Sequence, residues 1–255
     1  MKVTVITVCY NAAEFIRSAI ESVLLQDYDN VEYLLIDGGS SDSTIRVINE
    51  YKERITAVVS EPDQGIYDAI NKGLALATGD VIAILNSDDF YLHAHVISDV
   101  VKVLHNNKNV DLLLGNVDFI TPEKVGRSIR YYSSFRFEPW KMRFGFMPAH
   151  SAAFIKSSAY HQIGTYKLHY RIAADFDMFV RMLVVGKLPY FKMNKTLVRM
   201  RIGGVSTAGV KSYITSTKEM LYSLRENNIY SNYLMILLRL PIKFFQMLLF
   251  RLKTR

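Results

Sequence analysis

The chain has one cysteine, Cys9, so it can form no internal disulfide and offers no cysteine cluster for zinc. It has no uninterrupted apolar run of the ~18 residues that a membrane-spanning helix needs. Arg239 and Lys243 break the apolar stretches near the C-terminus. Only Lys2 precedes the first short apolar stretch, and no small-residue cleavage site follows it, which predicts no secretory leader. No acidic residue follows Glu226, whereas Arg239, Lys243, Arg251, Lys253 and Arg255 do. Those five carry most of the net charge of +7 and leave the rest of the chain at +2, which argues against a diffuse nucleic-acid-binding surface. Three nucleotide and hydrolase signatures are missing as well. The absence of G-x-G-x-x-G after the first strand weakens a dinucleotide dehydrogenase, and without G-x-x-x-x-G-K-[ST] a P-loop phosphotransferase is excluded. The absence of G-x-S-x-G argues against an α/β-hydrolase.

What is present is enough apolar material for a packed core: of 255 residues, 50% are hydrophobic and 22% charged, so disorder is not expected. Apolar, β-branched runs at 3–8, 31–36, 57–60 and 81–85 read as buried strands. Helical spacing separates them at 13–26, through Ile45, Val47 and Ile48, and at 67–77. This alternation predicts a parallel sheet of βαβ units. Beyond Val110 the rhythm changes, with strands expected near 111–120, 125–132 and 149–155. Helices are expected at 176–185 and 212–225, and an amphipathic segment at 230–252.

Chemistry gathers at three strand endings: Tyr10-Asn11, Asp37-Gly38-Gly39-Ser40 and Asn86-Ser87-Asp88-Asp89. In an open parallel sheet those carboxyl ends share one edge, where ligands bind. The adjacent carboxylates of Asp88 and Asp89 suit a hard divalent cation, Mn²⁺ or Mg²⁺, shared with substrate phosphates. Taken alone, an Asx-rich solvated turn would explain them better; taken with the other two strand endings, it does not. His93 and His95 are not read as ligands, because helical spacing would splay them apart.

These residues resemble family-2 glycosyltransferases. The resemblance rests on Val5-Ile6-Thr7-Val8-Cys9-Tyr10-Asn11, on Leu35-Ile36-Asp37-Gly38-Gly39-Ser40-Ser41-Asp42, and on the segment from Glu61-Pro62-Asp63-Gln64-Gly65 to Asn71-Lys72-Gly73. Ala77-Thr78-Gly79-Asp80 and Leu85-Asn86-Ser87-Asp88-Asp89 complete it, and the pattern closely resembles the bacterial capsule, colanic-acid and O-antigen branch. The resemblance implies a GT-A fold, a Rossmann-like, mostly parallel α/β sheet flanked by helices. The glycosyltransferase domain would span 1–209, with a nucleotide-binding half at 1–110 and an acceptor half at 111–209. A helical extension would occupy 210–255. The implied activity is inverting transfer of a hexosyl or N-acetylhexosaminyl group from a nucleotide sugar, UDP favoured, to a saccharide hydroxyl. A catalytically silent nucleotide-sugar-binding or scaffold protein of the same fold is the alternative.

By the same resemblance, Val8, Tyr10, Asp37, Lys72 and Asp88 would meet the nucleotide, with Arg46 an alternative to Lys72. Asp37 would lie near the base or ribose, Asp88 near the ribose, and Asp89 would hold the metal. Relatives often carry paired acids where this chain has Asp37-Gly38, and Glu-Asp where it has Ala174-Asp175. Asp175 is expected to be the general base, taking the acceptor hydroxyl's proton, with the support of the missing first acid lost or passed to Asp177. His150 would sit near acceptor or phosphates. Arg201 or Ser206, in a loop whose glycines supply a hinge, would reach phosphate.

The aromatic and basic stretch containing Arg127, Arg130, Arg136, Lys141, Arg143 and Trp140 suits a sugar linked to a lipid diphosphate, such as an isoprenoid carrier. In the tail, Arg239, Lys243 and Gln246 share one stripe, with Leu237, Leu238, Phe244, Phe245, Leu248 and Leu249 around it. That pattern predicts a cytoplasmic protein lying on the anionic inner face of the membrane, at ~1 kcal/mol per basic residue.

Overall fold

The computed structural model describes residues 1–121, 128–203 and 209–241. Strand β1 (Val3–Cys9) is apolar or β-branched throughout and buried on both faces. It pairs in parallel with β2 (Val31–Asp37) on one side and β4 (Val81–Asn86) on the other, while β3 (Ala57–Ser60) extends the sheet beyond β2. The second half of the sheet is mixed. Strand β8 (Ala153–Lys156) runs antiparallel to β4, β6 (Leu112–Ile120) antiparallel to β8, and β9 (Tyr190–Arg201) parallel to β6. Short strands β5 (Phe90–Tyr91) and β7 (Arg130–Tyr132) add to β9 and β6.

Successive β1 side chains enter opposite layers, as the two-residue period of a strand requires. Val3 and Val5 meet α1 (Ile16–Leu24), α2 (Thr44–Asn49) and α4 (Val96–Asn106) on one face. On the other face, Ile6 and Val8 meet the apolar layer that holds α3 (Ile66–Leu76), α5 (Ser157–Ile163) and α6 (Ala174–Phe179). Gly73 lets α3 lie close on the sheet: a β-carbon there would stand 2.5 Å from Ile6 Cγ2. The architecture is the expected Rossmann-like mixed α/β fold.

Several boundaries differ from the sequence reading. The strand expected at 149–155 opens as a tight turn at His150–Ala152 and is extended only over Ala153–Lys156. The helix expected at 176–185 begins at Ala174 and widens into a π-helical turn over Val180–Val185.

The described part of the C-terminal segment, residues 209–241, packs on the domain. Helix α7 (Val210–Glu226) inserts Met220, Leu221 and Leu224, and α8 (Tyr233–Leu237) inserts Ile236, into the apolar layer of α6. Arg239 does not belong to a solvent-facing basic stripe. It is 2% exposed, stacks on the Tyr213 ring, and donates to Tyr213 Oη at 3.3 Å and Thr217 Oγ1 at 3.0 Å. Lys243, Gln246 and the rest of that stripe lie outside the described residues, as does Arg127. No described helix is long and apolar enough to cross a membrane.

Candidate active site

The pairing register puts the polar strand endings level with one another: Cys9 faces Asp37 across the β1–β2 pair, and Val8 faces Asn86 across β1–β4. Above them opens a cleft of about 2560 Å³. That exceeds the ~300–1,000 Å³ of an ordinary small-molecule pocket and leaves room for two substrates. Val8, Tyr10, Asp88, Asp89, His150, Asp175 and Arg201 all line it. Seven expected site residues thus share one cavity. At its floor the chain turns through Asn11 in the left-handed region (φ 48°), which asparagine tolerates. The Asn11 side chain accepts from the Ser41 amide at 2.9 Å.

Four expected residues, counting Arg46 as the alternative to Lys72, do not reach the cleft. Asp37 is fully buried, and its carboxylate is consumed by its own turn: it accepts from the amides of Gly39 (3.1 Å) and Ser40 (3.0 Å), from Ser60 Oγ (2.7 Å) and from Ser40 Oγ. Burial pushes its pKa up, but these donors outweigh burial and hold it below the usual range. It therefore shapes the turn and has no free edge for a base. Lys72 points outside, to Glu61 and the Pro62 carbonyl, both at 2.9 Å, and Arg46 is exposed on α2. Trp140, 60% exposed, packs edge-on against Phe144 outside the cleft wall. Ser206 lies outside the described residues.

The sequence reading passed over Asp63. A β-carbon on Gly38 would overlap the Asp63 carboxylate, so Asp63 fills the space that an acid at position 38 would take. It lines the cleft and is oriented by the Gly65 amide at 2.8 Å. The available signal was positional: Asp63 follows the carboxyl end of β3 as the recognised motifs follow theirs.

Asp89 is 1% exposed, and its Oδ2 accepts from Ser151 Oγ (2.6 Å) and Asn86 Nδ2 (3.2 Å). Burial, then the neighbouring charge of Asp88, pushes its pKa up to about 8; burial also raises Asp88. A hard divalent cation would favour the charged form of both. Among the described residues no third His, Cys, Asp or Glu completes a metal cluster. A cation held here would take phosphate oxygens and water for its remaining positions, as Mg²⁺ and Mn²⁺ do. The donor set therefore fits. Beside it, Arg201 lies over the rings of Phe15 (5.2 Å) and Phe90 (4.8 Å) and donates to the Asp88 carbonyl at 2.7 Å. His93 and His95 lie in the turn before α4, not within it. Their rings are 6.2 Å apart, and His95 Nδ1 meets Asp27 at 2.5 Å, so helical spacing is not what separates them.

Asp175 stands in the first turn of α6, where burial pushes its pKa up to about 6. Its Oδ1 accepts from the Phe176 amide at 2.7 Å and faces the Tyr67 hydroxyl at 3.4 Å. Tyr67 itself donates to the Ile172 carbonyl at 2.5 Å, tying the Asp175 loop to α3. A carboxylate with a pKa near 6 is ionised at neutral pH yet basic enough to accept a proton. Asp177 does not take up the missing acid's role. It is fully buried and faces Arg181 (2.7 Å), Ser223 (2.8 Å) and Asn227 (3.1 Å). His150 meets the Tyr166 hydroxyl at 2.7 Å, and burial pushes its pKa down to about 4. It is neutral at physiological pH, so it offers a hydrogen bond and no charge to a phosphate.

Comparison with known proteins agrees with this geometry. The sequence pattern described as Glycosyl transferase family 2 matches residues 4–164. A PGL/p-HBAD biosynthesis glycosyltransferase of Mycobacterium bovis is 29% identical over 67% of this chain, and the match spans 65% of that relative, under two thirds of its length. A glycosyltransferase of Mycobacterium tuberculosis is 32% identical over 72% of this chain and 69% of its own. Among solved structures, S. aureus TarS in complex with UDP-GlcNAc superposes with a TM-score of 0.67 at 15% identity, covering 88% of this chain and 66% of that one. The mannosyltransferase PcManGT from Pyrobaculum calidifontis, in complex with GDP-Man and Mn²⁺, gives 0.65 at 19% identity, covering 88% and 63%. At such identities these two establish the fold, which is GT-A.

Proposed function

Because this chain belongs to glycosyl transferase family 2, we propose that it is an inverting glycosyltransferase of bacterial surface-polysaccharide synthesis. The donor in this reading is a nucleotide sugar, UDP favoured, carrying a hexose or N-acetylhexosamine. The acceptor is a saccharide hydroxyl, on a chain linked to an isoprenoid diphosphate. The observation that carries the reading is one cleft holding a basic carboxylate, Asp175, together with the Asp88–Asp89 pair and Arg201. The UDP-GlcNAc in the TarS structure supports the nucleotide class.

Asp175 removes the acceptor proton as that oxygen attacks the anomeric carbon from the side opposite the diphosphate. The new C–O bond forms as the sugar–phosphate bond breaks, and the electron pair leaves with the diphosphate. Asp89 and Asp88 would hold Mn²⁺ or Mg²⁺, which supplies positive charge to the diphosphate when bound. Arg201 adds a fixed cation beside it. Asp63 is placed to accept from a nucleobase N–H, the role that Asp37 cannot fill.

For membrane association, the described part of the C-terminal segment offers an apolar face of its own. Helix α8 packs on the Pro139–Phe144 turn, and the two expose Leu234, Leu237, Leu238 and Trp140 beside Lys141 and Arg143. We assign this face to the anionic cytoplasmic leaflet.

The test is thermal stability with UDP, GDP, dTDP or CMP, each with and without Mn²⁺. Stabilisation of ~2.7 kcal/mol is expected for one nucleotide at a hundredfold excess over its dissociation constant, only with metal, and lost in Asp89→Ala. A chain stabilised by nucleotide that turns over no sugar nucleotide would instead be the silent binding protein.

A further inference from the structure

Helix α6, which carries Asp175, begins at Ala173 and Ala174. Neither alanine has a side-chain oxygen for the open amide N–H groups that every helix start presents. The loop that leads into the helix, and the Ala173 amide at its start, are held from outside it. Glu219 on α7 accepts from Arg171 N at 2.9 Å through Oε1, and from Ile172 N (2.8 Å) and Ala173 N (2.9 Å) through Oε2. Three successive backbone donors converge on one carboxylate supplied by another helix, 46 residues beyond Ala173. Such charge-assisted bonds are short and directional, and a negative charge at a helix N-terminus is further favoured by the helix dipole.

We propose that Glu219 is the positioning residue for the general base, clamping the loop at 171–173 that leads into α6 and so fixing the direction in which Asp175 points. The proposal rests on the assignment of Asp175 as base. The loop at 171–173 is gripped from two sides: Tyr67 on α3 holds its Ile172 carbonyl, and Glu219 on α7 holds its three amides. Removing Glu219 frees one grip and leaves those donors without their anion. Glu219 also acts through space. The titratable groups around Asp175 are Tyr67, Tyr166 and Glu219, and the negative charge of Glu219 adds to the basicity that burial gives Asp175.

The experiment compares wild type, Glu219→Ala and Glu219→Gln in the full chain. Turnover of UDP-GlcNAc, UDP-glucose and GDP-mannose is read as nucleotide release, beside nucleotide–Mn²⁺ melting shifts. In Glu219→Ala, kcat should fall about 10²-fold, as for a misplaced catalytic group, with donor KM and the melting shift unchanged. Glu219→Gln, which keeps one acceptor oxygen, should recover part of the rate. In both variants the acid limb of the kcat–pH profile should move to lower pH. Unchanged kcat and acid limb in the alanine chain overturn the proposal, and so does a loss of nucleotide binding in step with kcat. If the alanine chain does not fold, the acid limb of Glu219→Gln decides. Wild type without turnover, or full turnover in Asp175→Asn, defeats the underlying assignment of the base instead.

Discussion

Before Val110, the polar residues around the cleft sit at or just beyond the strand that delivers them, and Asp37 is held chiefly within its own turn, by Gly39 and Ser40, two and three positions on, although Ser151 reaches Asp89 from 62 positions away. After it, His150 is held by Tyr166, 16 positions away, the Asp175 loop by Glu219 at 46, and the same loop by Tyr67 at 105. In the proposed function the first region is the donor platform, its strand endings laid level by sheet register. The second is an assembly of distant pieces around one carboxylate. Changes in the first region should therefore act on nucleotide binding, and changes in the second on turnover at saturating donor.

The largest effect should come from Asp175→Asn. Loss of a general base costs about 10²–10⁴-fold in kcat, while the nucleotide melting shift should stay as in wild type. A variant that lost both together would break the division between regions.

The pH profile sharpens it. With a pKa of about 6, Asp175 is the proton acceptor only above that value, so kcat should fall about tenfold per pH unit well below 6. Its effect on stability has the opposite sign. A carboxyl pKa raised on folding gives stability that is full below its unfolded value near 4 and is lost as pH rises through 6. Because His150 acts with the opposite sign over the same range, the measurement is the melting-temperature difference between wild type and Asp175→Asn, and a difference that rose with activity across pH 4–7 would contradict this assignment.

In the donor region, Gly38→Ala should push Asp63 out of its place and weaken nucleotide binding about tenfold, the loss of one hydrogen bond of ~1.4 kcal/mol. kcat at saturating donor should not change. Calorimetric titration with UDP and Mn²⁺ reads the first quantity and initial rates the second. The smallest effect should be that of Tyr67→Phe, which removes a hydroxyl worth ~1 kcal/mol. Because that bond lowers the Asp175 pKa, the acid limb should move slightly upward.

The same contrast explains what could be read from the chain alone. Strands β1 to β4 and their endings were legible because apolar runs followed by Asn, Asp, Gly and Ser are local signals, and a parallel sheet aligns them. Asp37 was misjudged because sequence marks a strand ending without saying whether the carboxylate turns outward or folds back on its own amides. Lys72 faces outward because the helical turn that inserts Gly73 against Ile6 leaves its neighbour on another face. In the second region, the single letters of Asp175 and His150 were visible, but their supports were not. A partner far along the chain has no periodicity to betray it. Arg239 shows the limit most plainly: a cation at helical spacing reads as surface, yet Tyr213 and Thr217 of another helix enclose it.

Asp177 carries a consequence for the order of events as the chain is made. Its buried carboxylate is satisfied by Ser223 and Asn227, 46 and 50 positions later. The β1–β4 pairings are complete once residue 86 has emerged, so the parallel half of the sheet can form early in synthesis. The first turn of α6 cannot settle until residue 227 is free of the ribosome, since long-range contacts await the chain that closes them. The two sides of the cleft would thus be finished at different times, the parallel strands first and the loop that carries Asp175 only when α7 docks.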